Sequence, residues 1–202
     1  MEFMDDELYQ KKNQIRRKMK TRLSLLSNTE QNEKSSKLCT ALAKTVFGDQ
    51  IFAVAGFLSL PGEPDLRPLF NEILHKGKTL FLPRIDNTNL VFHHVLSTAD
   101  NLSVHAVYGM AEPAEHLPLA VWPPAKKTLI LVPGLAFDLQ GKRLGRGKGF
   151  YDRFLHSLAA ENNSLPLLLG TGFSCQMEES VPADNNDFLM NGFVCENGII
   201  LF

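Results

Sequence analysis

Short apolar runs bounded by turn residues constrain this chain most. From Ile51 to Leu58 the sequence reads IFAVAGFL, with no charged or hydrogen-bonding side chain, and Thr128 to Val132 (TLILV) is nearly the same. A strand with one wet face alternates polar and apolar residues, so a run apolar at nearly every position needs cover on both faces, as in a parallel sheet between helices. Pro61-Gly62 ends the first run. Asp65 then stands as a cap before Leu66, Leu69, Phe70, Ile73 and Leu74, a helical stripe that Gly77 would close. With a second strand at Thr79 to Leu82, the order strand, helix, strand predicts a right-handed parallel crossover.

The flanking segments extend that pattern. Seven of the 21 basic residues fall between Lys11 and Arg22, where Ile15, Met19, Leu23 and Leu26 recur at helical spacing. Lys12, Arg16 and Lys20 lie on one stripe of that helix. Ser27 and Glu30 have capping-box spacing for a second helix through Leu38, Leu42 and Val46 to Gly48. Asn89 to Leu96 reads as a strand. Ser97 to Pro124, with four prolines, reads as loop and a candidate site wall. A helix from about Phe150 to Ala160, a strand at Leu165 to Gly170 and short strands near the end follow. The expected fold is α/β, a single-domain layered sandwich with a mostly parallel sheet flanked by helices. It spans residues 11–202, behind an N-terminal extension at 1–10.

Charge and cysteine usage narrow the function classes. Twenty-one Lys and Arg against 22 Asp and Glu leave a net charge of -1, so no nucleic acid or membrane partner is expected and any basic site must be local. The acidic first ten residues are no signal peptide, and no apolar run spans a bilayer, which predicts a cytoplasmic protein. A monomer is expected. Cys39, Cys175 and Cys195 form no CxxC and read as small buried hydrophobes. His93 and His94 would face opposite sides of a strand, and His75 falls near a helix end, so no histidine is a catalytic candidate.

The segment from Pro133 to Arg153, PGLAFDLQGKRLGRGKGFYDR, carries the chemistry. Gly141, Gly145, Gly147 and Gly149 interleave with Lys142, Arg143, Arg146 and Lys148 between a strand and a helix. Glycines let main-chain N–H groups approach an anion, the helix N-terminus adds positive potential, and the cations add charge-assisted hydrogen bonds. These are the parts of a polyphosphate cradle, although a basic solvent-facing turn has the same composition. The spacing fits neither a P-loop nor a dinucleotide fingerprint. Asp152, at the start of the following helix, could hold Mg²⁺ against phosphate oxygens or simply cap the helix. Glu178, Glu179, Asp184 and Asp187 offer a second hard ligand. Glu63 could accept two hydrogen bonds from an aminopyrimidinone edge or stand as an exposed turn carboxylate, and Tyr108 could wall a pocket with its ring or pack into the core.

With PGLAFD, RLGRGKGFYDR and the N-terminal Lys-x₃-Arg helix, the chain resembles the 5-formyltetrahydrofolate cyclo-ligase family. FLSLPGEPD at Phe57 to Asp65, GKTLFLPR at Gly77 to Arg84, YGMAEP at Tyr108 to Pro113 and VPADNND at Val181 to Asp187 support the likeness in order. It implies a fold like that of sugar-phosphate isomerases and CoA transferases. The implied reaction is ATP-dependent closure of 5-formyltetrahydrofolate to 5,10-methenyltetrahydrofolate, with release of ADP and phosphate through a phosphorylated formyl (imidate phosphate) intermediate.

By the same resemblance, Lys12 and Arg16 would contact ATP, together with Arg143, Leu144, Gly145, Arg146, Gly147, Lys148, Gly149, Phe150 and Tyr151. Leu58, Glu63 and the stretch Arg146 to Phe150 would touch the folate, with Tyr108 beside them. Asp152 and Asp187 would bind Mg²⁺, and Arg146 and Lys148 would stabilise the transferring phosphoryl group. The chain departs from the family pattern at Phe150, where a Tyr is usual, at Leu66, where a Thr is common, and at Asn191, where a second Asp often stands. Two other readings share these features: a phosphosugar isomerase or sensor holding one phosphate, and a module that binds ATP or folate without turnover. The second cationic cluster at Lys12 and Arg16 suits a triphosphate better than a monophosphate.

Overall fold

The computed structural model describes residues 2–48, 50–97, 102–104, 111–122, 127–161, 165–184 and 187–202. Helix α1 spans Glu2–Ser24, and the basic stretch from Lys11 to Arg22 lies within it. Helix α2 (Asn28–Val46) starts on the expected capping box, in which Ser27 Oγ accepts from the Glu30 N–H and the Glu30 carboxylate accepts from the Ser27 N–H at 2.8 Å. Strand β1 occupies only Ala53–Ala55, in the middle of the long apolar run. Gly56 still donates to the Phe81 carbonyl, but a Cβ there would lie 2.4 Å from the Phe70 ring. The chain then leaves the sheet, and Phe57 and Leu58 close the core and wall a cleft.

Helix α3 (Arg67–His75) starts at Leu66, which lies in the core at the N-cap position. Asp65 is one residue further out than a cap, and its Oδ1 accepts the Arg67 N–H at 3.0 Å. Strands β2 (Thr79–Asp86) and β3 (Asn89–Val95) form an antiparallel hairpin paired from Leu80↔Val95 to Asp86↔Asn89. Pairing with β3 carries β2 four residues beyond its expected end. His93 and His94 do face opposite ways: His93 is buried with its Nδ1 2.8 Å from the Leu117 carbonyl, while His94 meets the Phe81 ring edge-on.

The proline-rich segment expected as loop contains a second, two-stranded sheet, β4 (Leu102–Val104) and β5 (Ala111–Pro113). A buried charge fixes it to β2. The Arg84 guanidinium reaches Glu112 at 2.7 Å and the Pro113 carbonyl at 3.0 Å, and Glu112 is only 3% exposed.

The chain continues through β6 (Thr128–Pro133), a small hairpin of β7 (Ala136–Phe137) and β8 (Arg143–Leu144), helix α4 (Phe150–Glu161), β9 (Leu167–Thr171), β10 (Gly192–Cys195) and β11 (Gly198–Leu201). The main sheet has the order β11-β10-β9-β6-β1-β2-β3. Its five inner strands pair in parallel, and the edge strands β3 and β11 are antiparallel. Val54, Leu80, Leu129 and Leu131 pack one face against α2 and α3, and Ala55, Phe81, Ile130 and Val132 pack the other against Leu155 and Leu158 of α4. The mixed α/β sandwich is the one the apolar runs predict. Cys39 and Cys195 are buried and Cys175 half-buried, all three as free thiols. Among the described residues no helix is long and apolar enough to cross a membrane.

This topology positions the site. From β1 the chain passes through α3 to β2, and from β6 it passes through α4, on the opposite face, to β9. The adjacent strands β1 and β6 therefore send their chains apart, which opens a crevice at their carboxyl ends. Helix α1 is fastened across that end of the sheet. Met19 and Leu23 pack with Leu135, Ala136, Leu144, Phe173 and Val181, and Lys18 and Arg22 both pair with Glu178. Met19 is fully buried, so Met19→Ala should cost about 2–5 kcal/mol and loosen α1 first. Urea unfolding with amide exchange tests this, and an unchanged midpoint with α1 still protected would contradict it.

Candidate active site

The crevice is a cleft of about 310 Å³ at the carboxyl ends of β1, β2 and β6. Phe57, Leu58, Pro83, Ile85 and Leu90 form an apolar wall, and Lys12, Arg16 and the loop from Arg143 to Asp152 form a polar one. Of this apolar wall the sequence reading named only Leu58, by resemblance, although the extension of IFAVAGFL past the strand was a visible sign of the rest.

Arg143 organises the loop. Its side chain is 6% exposed, with Nη1 donating to the Pro133 carbonyl at 3.1 Å and Nη2 to Asp152 Oδ1 at 2.5 Å. It thereby ties the end of β6 to the start of α4, and its guanidinium lies 5.9 Å from the centre of the Tyr151 ring. A Cβ on Gly145 would sit 3.0 Å from Arg143 Nη1, a tight contact, so the chain passes close over the guanidinium there. Beyond it, Gly147 (φ 96°) and Gly149 (φ 67°) adopt a left-handed backbone that a side chain would strain. The N–H groups of Gly147, Lys148 and Gly149 find no acceptor among the described residues. Successive free amides at a helix start form an anion-binding concavity.

Like Arg143, the cleft cations Lys12 and Arg146 are paired with neighbouring acids. Lys12 Nζ lies 2.8 Å from both Asp184 Oδ2 and Asp187 Oδ2. Burial works against the Lys12 ammonium, but the hydrogen bonds and charges of these two carboxylates outweigh it and hold its pKa above the usual value. Arg16 donates from Nε to the Gly145 carbonyl at 3.1 Å and from Nη1 to Asn13, so α1 grips the loop directly. Arg146 crosses the cleft mouth, with Nε 2.8 Å from Glu63 Oε1 and Nη2 3.2 Å from the Pro61 carbonyl. Glu63 is 7% exposed and also accepts the Leu60 N–H at 3.0 Å. Burial pushes its carboxyl up against the opposing pull of Arg146. Of the loop cations, Lys148 has an ammonium with no partner among the described residues.

The residues singled out in the sequence thus meet in one place, with some redistribution. Lys12, Arg16, Leu58, Glu63, the loop from Arg143 to Tyr151, Asp152 and Asp187 all line the cleft. Arg143, however, is already spent on Pro133 and Asp152. Tyr151 points a fully buried hydroxyl that has no partner among the described residues, and burial drives that phenol's pKa up. Glu178, a candidate ligand by composition, serves α1 instead. Asn191 lies away from the metal candidates: its Oδ1 accepts the Leu168 N–H at 2.8 Å on β9, so the family's second carboxylate there has no counterpart in the cleft. Tyr108 lies outside the described residues.

Asp152 and Asp187 supply two hard oxygen donors on the polar wall, each beside a cation. Among the described residues no group of three or more His, Cys, Asp or Glu is gathered to hold a metal unaided. Magnesium commonly binds one or two carboxylates and completes its shell with substrate phosphates and water, and this donor set fits that use.

Comparison with known proteins converges on one family. A model of the 5-formyltetrahydrofolate cyclo-ligase family matches residues 8–196. The 5-formyltetrahydrofolate cyclo-ligase of Saccharomyces cerevisiae is 26% identical over 92% of this chain and 95% of its own. That of Mus musculus is 27% identical, covering 91% and 92%. The solution structure of 5,10-methenyltetrahydrofolate synthetase from Aquifex aeolicus superposes with a TM-score of 0.78 at 34% identity, covering 94% of this chain and 92% of that one.

Because one guanidinium holds both ends of the loop, Arg143→Lys keeps the charge but cannot make both contacts. Hydrogen bonds to charged groups contribute about 1.5–3 kcal/mol, and a loss of that size in urea unfolding is expected. An unchanged unfolding midpoint would show that the loop does not rest on Arg143.

Proposed function

This chain belongs to the 5-formyltetrahydrofolate cyclo-ligase family, and from that premise we propose that its cleft closes 5-formyltetrahydrofolate to 5,10-methenyltetrahydrofolate through a phosphorylated formyl intermediate. The protein is an enzyme, a ligase of folate one-carbon metabolism that uses ATP. The observation that carries the finer reading is that Glu63 and the cationic glycine loop face each other across a single cleft.

The chemistry asks for little beyond that placement. The formyl oxygen attacks the γ-phosphorus; an O–P bond forms, the bond from that phosphorus to the β–γ bridging oxygen breaks, and ADP leaves. N10 then adds to the formyl carbon, a C–N bond forms, and phosphate departs with the C–O electron pair and takes up the N10 proton. An amide-like oxygen leaves poorly, and phosphorylation converts it into phosphate, which leaves well. No enzymic nucleophile is required. Phosphoryl transfer is catalysed by positioning and by charge set against the equatorial oxygens. Lys148, Arg146 and the free N–H groups of Gly147 to Gly149 are suited to that task. Mg²⁺ held by Asp152 and Asp187 would neutralise phosphate charge alongside them.

Binding in this reading is an exchange of partners. The aminopyrimidinone edge of the folate, which presents N–H donors, takes the place of Arg146 on Glu63 and frees that guanidinium for phosphate. The triphosphate similarly takes Lys12 from Asp184 and Asp187, leaving Asp187 open to the metal. Phe57, Leu58, Ile85 and Leu90 cover the apolar body of the pterin and exclude water from the reacting atoms. The methenyl product has a conjugated bridge that the substrate lacks, so near-ultraviolet absorbance with and without Mg-ATP tests the reaction. ATP-dependent growth of the product band is expected, and its absence would refute the reading. Lys148→Ala should lower turnover by more than tenfold, about 1.4 kcal/mol of barrier or more, and wild-type kinetics in that variant would remove Lys148 from the transfer step.

A further inference from the structure

Arg153 stands at the end of the glycine-rich segment, one residue past Asp152, in the first turn of α4. It does not line the cleft; it borders a separate groove along β3. Yet its guanidinium spans two elements that meet at the loop tip. Nη1 donates to the Lys148 carbonyl at 3.1 Å, and Nε and Nη2 both donate to the Thr88 carbonyl, at 3.1 and 2.5 Å. The same group lies 5.4 Å from the centre of the Phe150 ring. Thr88 sits in the turn of the β2–β3 hairpin, whose strands stay paired up to Asp86↔Asn89. The loop tip is thus moored to a rigid hairpin.

The mooring bears on the cleft through one peptide unit. In a trans peptide the carbonyl and the N–H point in opposite directions. With the Lys148 carbonyl drawn to Arg153, away from the cleft, the Gly149 N–H of the same unit faces the opposite way. Gly149 must be glycine for this to occur, since its φ is 67° and a Cβ would lie 2.8 Å from Arg153 Nη1. Lys148 and Gly149 line the cleft, and neither the Lys148 ammonium nor the Gly149 N–H has a protein partner among the described residues. The free cation and the free amide aimed at the transferring phosphate are therefore set by a residue that would touch neither substrate.

We propose that Arg153 is a positioning residue for phosphoryl transfer, acting through the Lys148–Gly149 peptide. The proposal rests on the reading of the loop as the triphosphate site. Three donors in one plane are needed to hold two carbonyls and lie on Phe150, and a lysine ammonium, as a point charge, supplies only part of that geometry. Preorganisation of this kind spares the loop the cost of ordering itself around the reacting group.

A double-mutant cycle separates action through Lys148 from general support of the fold. Arg153→Gln should lower kcat by about tenfold or more while leaving KM for 5-formyltetrahydrofolate within about twofold. In a Lys148→Ala background the same change should cost clearly less than it does in the wild type, because the ammonium, one of the two groups that Arg153 positions, is already gone while the Gly149 N–H remains. Arg153→Lys should fall between wild type and Arg153→Gln, and it completes the same cycle if Arg153→Gln does not fold. Equal losses in both backgrounds, or a shift in folate KM with kcat preserved, would overturn the proposal. The cycle is repeated on the affinity for a non-hydrolysable ATP analogue with Mg²⁺, where the same non-additivity is expected and additive losses would again overturn it. A wild-type enzyme that forms no methenyl product would refute the reaction assigned above, and the analogue-binding cycle would still decide the role of Arg153.

Discussion

A single buried guanidinium underlies the cleft. Arg143 joins the carbonyl at the end of β6 to the carboxylate at the start of α4, and the glycine loop is the chain drawn over that bridge. An arginine buried to this degree is tolerable only when its donors are met by fixed acceptors. The acceptors here belong to two secondary elements that the parallel sheet already holds in place. Gly145 lets the chain pass close over the guanidinium, and the left-handed turns at 147 and 149 then return it to α4 with their amides unspent.

Around that bridge two of the cleft's cations are stored on neighbouring acids. Lys12 rests between Asp184 and Asp187, and Arg146 rests on Glu63. A pocket that must accept a triphosphate needs several cations close together, which would repel one another when it is empty. Internal pairing removes that repulsion, and it explains how a chain of net charge -1 carries a strongly cationic site. In the proposed reading it also makes substrate binding an exchange of partners. The pairs are held on four separate pieces of chain, α1, the segment that carries Asp184 and Asp187, the Leu60–Glu63 turn and the loop, so in the proposed reading each substrate would meet its own release point.

Much of this was legible in the residues, and the limits have physical causes. The apolar runs gave the parallel sheet because double-sided burial leaves no alternation to misread, and the capping box at Ser27 marked the start of α2. The basic stripe of α1 and the glycine loop were visible as charge and backbone freedom, and the structure brings both to one cleft. What sequence did not disclose depends on long-range partners. Phe70 fills the space that a side chain at Gly56 would need, and the β4–β5 pair forms where a buried Arg84–Glu112 contact anchors it. The internal pairing of Arg143 with Asp152, and of Arg146 with Glu63, joins residues that composition alone would send to different ligands. Asn191, conspicuous against the family pattern, proves to serve the β9 backbone. Arg153 ended the most informative segment of the chain, yet only the fold brings Thr88 to it.

If the cleft sets the γ-phosphorus of ATP against the formyl oxygen, the oxygen that leaves the folate must depart on phosphate. The decisive measurement is therefore mass analysis of the phosphate released when the wild-type enzyme turns over 5-formyltetrahydrofolate carrying ¹⁸O in its formyl group. One labelled oxygen in each phosphate formed is the expected result. Unlabelled phosphate, with the isotope recovered in water, would mean that ATP is cleaved without ever bonding to the formyl oxygen, and would contradict the mechanism at its centre.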